Sequence, residues 1–135
     1  MPLRYPVSPG TIVRCDYDHG GFASPEMTKR RPVIVVSPRL PHRDGLCTVV
    51  PLSSVAPHRF VKYVIPLLLN PPLPFPYAQE VAWAKCDMLA TVSFARLDLF
   101  TSRDDSGKRK FLKPVISKED LLNVRLGIRF ALGMA

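Results

Sequence analysis

Apolar residues in this chain come in short bursts, mostly too brief for helices. Val33, Ile34, Val35 and Val36 form a continuous β-branched run. Such a run predicts a buried strand, here ended by Ser37-Pro38. Before it, Gly10 opens a strand over about residues 11–17, and a polar, glycine-bearing loop follows over 18–28. A third strand is expected over 46–51, ending at Leu52-Ser53-Ser54, and a fourth over 60–65. A fifth runs from 81 to about 92 with a bend. Residues 93–100 read as a short helical turn, and 101–110, polar and charged, as a mobile surface loop.

Helical periodicity is confined to the end of the chain. Ser117 is a good N-cap, and Asp120 stands three residues later as in a capping box. Leu121, Val124, Ile128 and Ala131 then repeat on one face, and Gly133 can end the helix. Five short strands and one terminal helix predict a mainly β domain over residues 1–135, its sheet coiled into a small barrel.

Composition sharpens this. Fifteen prolines in 135 residues oppose a helical bundle. Four of them, Pro71, Pro72, Pro74 and Pro76, make residues 69–77 an extended connector. The net charge of +8 points to a polyanionic partner such as nucleic acid. A merely soluble basic protein has the same charge. Cys15, Cys47 and Cys86 are odd in number and form no C-x-x-C, which argues against a disulfide scaffold or a zinc site. No His or carboxylate cluster has metal-ligand spacing, so no metal or cofactor is expected. With no apolar signal core and no apolar run long enough to span a bilayer, the expectation is a cytoplasmic protein without membrane association.

Three places can carry chemistry. Lys29-Arg30-Arg31 precedes Pro32, which holds Arg31 extended at a strand entrance. A guanidinium there matches phosphate oxygens, although a solvated basic turn is the commoner meaning of such a triplet. Ser53 and Ser54, at a strand end, can bond a phosphate or a ribose hydroxyl. Lys85 and Asp87, two apart on an expected strand, would share one face and could act as acid and base, or form a plain surface ion pair. Among the histidines, His19 beside Gly20 and Gly21 is the one placed near a site.

The order of these segments is more specific than any one of them. Gly10-Thr11-Ile12-Val13, Arg31-Pro32-Val33-Ile34-Val35-Val36-Ser37-Pro38, Val50-Pro51-Leu52-Ser53-Ser54 and Ala84-Lys85-Cys86-Asp87 together resemble the MazF/PemK toxins of type II toxin–antitoxin systems. The resemblance implies an SH3-like barrel of the CcdB/PemK type with a C-terminal α-helix, forming a homodimer. It implies a metal-independent, sequence-specific endoribonuclease acting on single-stranded mRNA. It also implies a cognate antitoxin whose acidic, disordered tail covers the RNA site. By the same resemblance the catalytic residues are Arg31, Ser53, Asp87 and Lys85, with Ser54 following Ser53 at the site. From the residues themselves, Lys29 and Arg30 of the basic triplet and His19 beside the glycines are expected, with Ser54, to bind RNA. Serine stands at 53 where the family most often has threonine, and lysine at 85 where the PemK-like branch has arginine. The alternatives are a non-catalytic RNA-binding barrel and a toxin of the same fold aimed at a protein such as a gyrase.

Overall fold

The computed structural model describes residues 2–18 and 20–134. Among these, nine strands precede one helix: β1 (Ile12–Asp16), β2 (Arg30–Val35), β3 (Leu46–Ser53), β4 (Val64–Leu68), β5 (Val81–Lys85), β6 (Ala90–Ser93), β7 (Leu97–Asp98), β8 (Phe100–Arg103), β9 (Arg109–Leu112) and α1 (Lys118–Ala131). The main sheet is antiparallel in the order β4-β5-β3-β2-β1-β7, with β6 also paired to β3. Strands β8 and β9 form a separate hairpin. This is the mainly β fold with a C-terminal helix that the sequence predicts. Among the described residues no ladder joins β4 to β7, so the curled sheet stays open.

The unbroken apolar run on β2 has a plain cause: both faces of the sheet are covered. Ile12, Ile34, Val50, Leu52, Ala84 and Val124 meet in one core, and Val13, Val33, Val35, Val49 and Leu97 in another. Alternate residues of β2 feed opposite cores, Val33 and Val35 one and Ile34 the other, so none of these positions can be polar without cost.

Several elements fall elsewhere than expected. The fourth strand lies at Val64–Leu68 and carries Pro66 at its centre. Proline is tolerated there because β4 ends the sheet and has a free side. Residues 101–110, read as a mobile loop, instead belong to the β8–β9 hairpin. Its turn is tied by the Asp104 carboxylate, which accepts from the Ser106 hydroxyl (2.6 Å) and the Lys108 N–H (2.9 Å). The expected fifth strand is two strands, β5 and β6, separated by a 3-10 turn at Cys86–Met88. Both pair with β3: Leu52 faces Ala84 and Val49 faces Ala90. Three steps along β3 correspond to six along its partner, so three residues must loop out, and the turn takes them up.

That turn seats the helix. The Ser117 hydroxyl caps α1 by accepting the Asp120 N–H (3.0 Å). Val124 and Gly127 face inward, with Leu121, Ile128 and Ala131 half-buried beside them. The Cys86 thiol donates to the Val124 carbonyl (3.4 Å). A Cβ on Gly127 would stand 2.8 Å from Cys86 Sγ and 3.1 Å from Ile65 Cγ1. Gly127→Ala, which in an open helix would gain about 1 kcal/mol, should therefore lose roughly 1–3 kcal/mol by overpacking. In a Cys86→Ala background the same substitution should cost less. Urea unfolding of the four proteins checks both, and equal costs in the two backgrounds would refute the contact.

All three cysteines are free. Burial pushes Cys15 and Cys86 up from an ordinary 9.0 to about 12, and Cys47 to about 11. The folded chain favours the protonated thiols, so their contribution to stability is complete below about pH 9 and is lost as pH rises toward these values. At pH 8 iodoacetamide should leave Cys15 and Cys86 unmodified in the folded protein and label them in urea, as read by mass spectrometry.

Candidate active site

Strands β2 and β3 part company partway along. Their pairing runs from Val35–Val49 through Ile34–Val50 to Val33–Pro51 and goes no further toward the start of β2. The N-terminal end of β2 stays with β1, Arg31 facing Cys15, while the C-terminal end of β3 turns to β5, Ser53 facing Trp83. The cause is local. The Val36 N–H donates to the Thr48 carbonyl at 2.9 Å, which sets the phase of the ladder. Donors of β2 then point at β3 from positions 36, 34 and 32. Position 32 is proline, which has no N–H.

The fork so formed is a cleft of about 220 Å³. One wall carries Lys29, Arg30, Arg31 and Pro32, and the other Leu52, Ser53 and Ser54. The proline-rich connector supplies the third side through Leu69, Leu73, Pro76 and Tyr77. Leu73 is buried, and the Tyr77 hydroxyl donates to the Arg30 carbonyl (3.2 Å). The Tyr77 ring meets Phe100 edge-on, 5.9 Å between centroids. Nothing local in the sequence marks Tyr77, because its partners are distant in the chain.

Arg31 is half-buried, and its Nε donates to the Thr28 carbonyl (2.9 Å). No carboxylate among the described residues pairs with it, whereas Arg30 faces Asp16 at 3.4 Å. Ser53 is 6% exposed; its hydroxyl accepts the Val55 N–H (3.1 Å) and its own proton faces the Val55 carbonyl at a loose 3.5 Å. Ser54 is exposed beside it. Behind Arg31, the Tyr17 phenol is buried beside the Cys15 thiol. Burial and then the neighbouring Cys15 push its pKa up, and Arg31 pulls the other way. Tyr17 is therefore a neutral support and not a titrating group at ordinary pH.

Lys85 and Asp87 require a correction. They do not lie side by side on one strand, because the chain turns at Cys86 to absorb the three surplus residues. Lys85 ends β5 half-buried, and Asp87 sits exposed in the turn. Both line a separate cleft of about 500 Å³ with His58, Arg59 and Tyr63. That cleft shares no residue with the first, but the two meet at the consecutive residues Ser54 and Val55. His19 lies outside the described residues. Among the described residues no three His, Cys, Asp or Glu groups converge as a metal site, and no helix is long and apolar enough to cross a membrane.

The loop after β1 is held at both ends. Lys29, in a left-handed conformation at φ 69°, donates its N–H to Asp18 (2.6 Å). Arg96, a residue the sequence did not single out, donates to the carbonyls of Asp16 (3.1 Å) and Gly20 (3.2 Å) and lies 4.8 Å from the Phe22 ring centroid.

Residues 8–131 match the family model described as PemK-like, MazF-like toxin of type II toxin–antitoxin system. No curated protein matches the chain in sequence. Among solved structures, an endoribonuclease from a mycobacterial species is similar at 15% identity and TM-score 0.58, over 95% of this chain and 92% of its own. MazF from Deinococcus radiodurans is similar at 19% identity and TM-score 0.58, over 96% and 99%. The MazE–MazF complex from the same organism aligns at 17% identity and TM-score 0.53, over 97% and 99%. At these identities the likeness is one of fold.

If the missing donor opens the fork, Pro32→Ala should close it. The new amide at 32 should bond the Leu52 carbonyl and exchange slowly with deuterium. A fast-exchanging amide would instead assign the opening to the wedge of Leu73 and Tyr77.

Proposed function

The chain belongs to the PemK-like, MazF-like toxins of type II toxin–antitoxin systems, and from that membership we propose that it cuts single-stranded RNA at the fork between β2 and β3. The observation that carries this reading is the convergence of Arg31, Ser53 and Ser54 in one basic cleft. A structural neighbour is named an endoribonuclease, and the net charge of +8 suits a polyanionic substrate.

In this mechanism the ribose 2′-OH attacks the adjacent phosphorus, the 5′-oxygen leaves, and a 2′,3′-cyclic phosphate forms. The nucleophile comes from the substrate, so the reaction needs no metal. Arg31 stabilises the charge gathering on the phosphoryl oxygens. Arginine stays protonated throughout, which suits it to this role and not to proton donation. Ser53 and Ser54 hold the phosphate or the 2′-OH, and Lys29 and Arg30 bind flanking phosphates. Asp87 as base and Lys85 as acid or phosphate ligand belong to the adjoining cleft, which RNA reaches by crossing the Ser54–Val55 corner. The protein acts in the cytoplasm as a homodimer. A cognate antitoxin restrains it by laying an acidic, disordered tail over the basic cleft, a pairing suggested by the MazE–MazF neighbour.

Purified protein should cut single-stranded RNA in EDTA and leave 2′,3′-cyclic phosphate ends. Arg31→Ala should cut on the order of 10²–10³ more slowly. Equal rates would end the assignment. RNA that is bound by the wild type and left intact would point to a binding module.

A further inference from the structure

The proline-rich connector has a second side. Pro76 and Tyr77 line the fork and also a neighbouring groove of about 240 Å³ that continues past them. Arg14, Asp98, Phe100, Arg109 and Phe111 complete that groove, together with Phe75. Phe75 is 91% exposed at the tip of the connector, and Phe111 is 51% exposed on β9 across from it. Large apolar side chains left this bare call for an explanation.

The connector holds Phe75 in place instead of letting it collapse. Leu73 on one side is 4% exposed, and Tyr77 on the other is fixed by its hydroxyl to Arg30 and by its N–H to the Pro74 carbonyl (2.9 Å). The opposite bank is basic: residues 100–113 contain five Lys or Arg and two Asp. Asp98 in the groove faces Arg14 at 3.9 Å, so those two charges offset each other. Arg109 has no carboxylate partner of this kind among the described residues. Exposed rings beside unneutralised cations are what a single nucleic-acid strand binds, bases stacking on the rings and phosphates on the cations.

We propose that single-stranded RNA leaving the Arg31–Ser53 fork continues through this groove, a flanking base stacking on Phe75 and a flanking phosphate meeting Arg109. The proposal rests on the nuclease reading for what occupies the fork. Stacking accepts any base, so the groove adds affinity and length preference, not a sequence code.

The test uses a fluorescent single-stranded RNA with 2′-fluoro sugars throughout, which leaves no 2′-OH to attack, and the same RNA trimmed to the nucleotides of the fork. Phe75→Ala should weaken binding of the long RNA roughly ten-fold. Phe75→Trp, which keeps an aromatic face, should not. Arg109→Ala should lower the slope of log K against log salt by about 1. Binding of the trimmed RNA should be the same for all of these proteins. Unchanged affinity for the long RNA in both alanine variants would overturn the proposal. So would a loss seen only for a synthetic acidic peptide, which would make the groove a protein site. The two readings fail separately. A wild type that cuts no RNA, with long-RNA binding still weakened by Phe75→Ala, would refute the nuclease and keep the groove. Cleavage with unchanged binding would do the reverse.

Discussion

The absence of one hydrogen-bond donor organises this molecule. Antiparallel strands stay together only while donors and acceptors alternate between them. At position 32 the donor that should reach β3 is missing because the residue is proline. From there β2 follows β1 and β3 follows β5, and β3 becomes the strand shared between two diverging parts of the sheet. The fork exposes apolar surface at Leu52 and Pro32, and Leu73 and Tyr77 cover it from the third side. What stays open is the polar rim, where Arg31 and Ser54 stand with Ser53 just beneath.

The same strand governs the other end of the fold. Because β3 pairs with β5 and β6 in succession, the chain between them has residues to spare. They form the turn that turns the Cys86 side chain onto α1, and the helix answers with glycine at 127. Helix seating and the position of Asp87 therefore follow from one register. A change that removed the surplus would move both.

Much of this was legible in the sequence, for definite reasons. A β-branched run, a capped amphipathic segment and an Arg-Pro step are local signals, and β2, α1 and the setting of Arg31 followed from them. Lys85 and Asp87 were misplaced because strand alternation was carried through Cys86, where no Gly or Pro marks a break. The fourth strand, expected over 60–65, lies instead at Val64–Leu68, because a strand at the sheet edge accepts Pro66. The β8–β9 hairpin was hidden because its residues are mostly exposed and show no apolar alternation. Tyr77 and Arg96 act across the fold, 47 and 80 residues from their partners, which no window along the chain can display.

The connector over the fork has a thermodynamic consequence. Four prolines between residues 71 and 76 restrict φ whether or not the chain is folded. Holding this wall in place thus removes little freedom from the unfolded chain, less than a glycine- or serine-rich wall of equal length would lose. A ligand entering the cleft therefore spends less of its binding free energy on shaping this wall than it would on a flexible one.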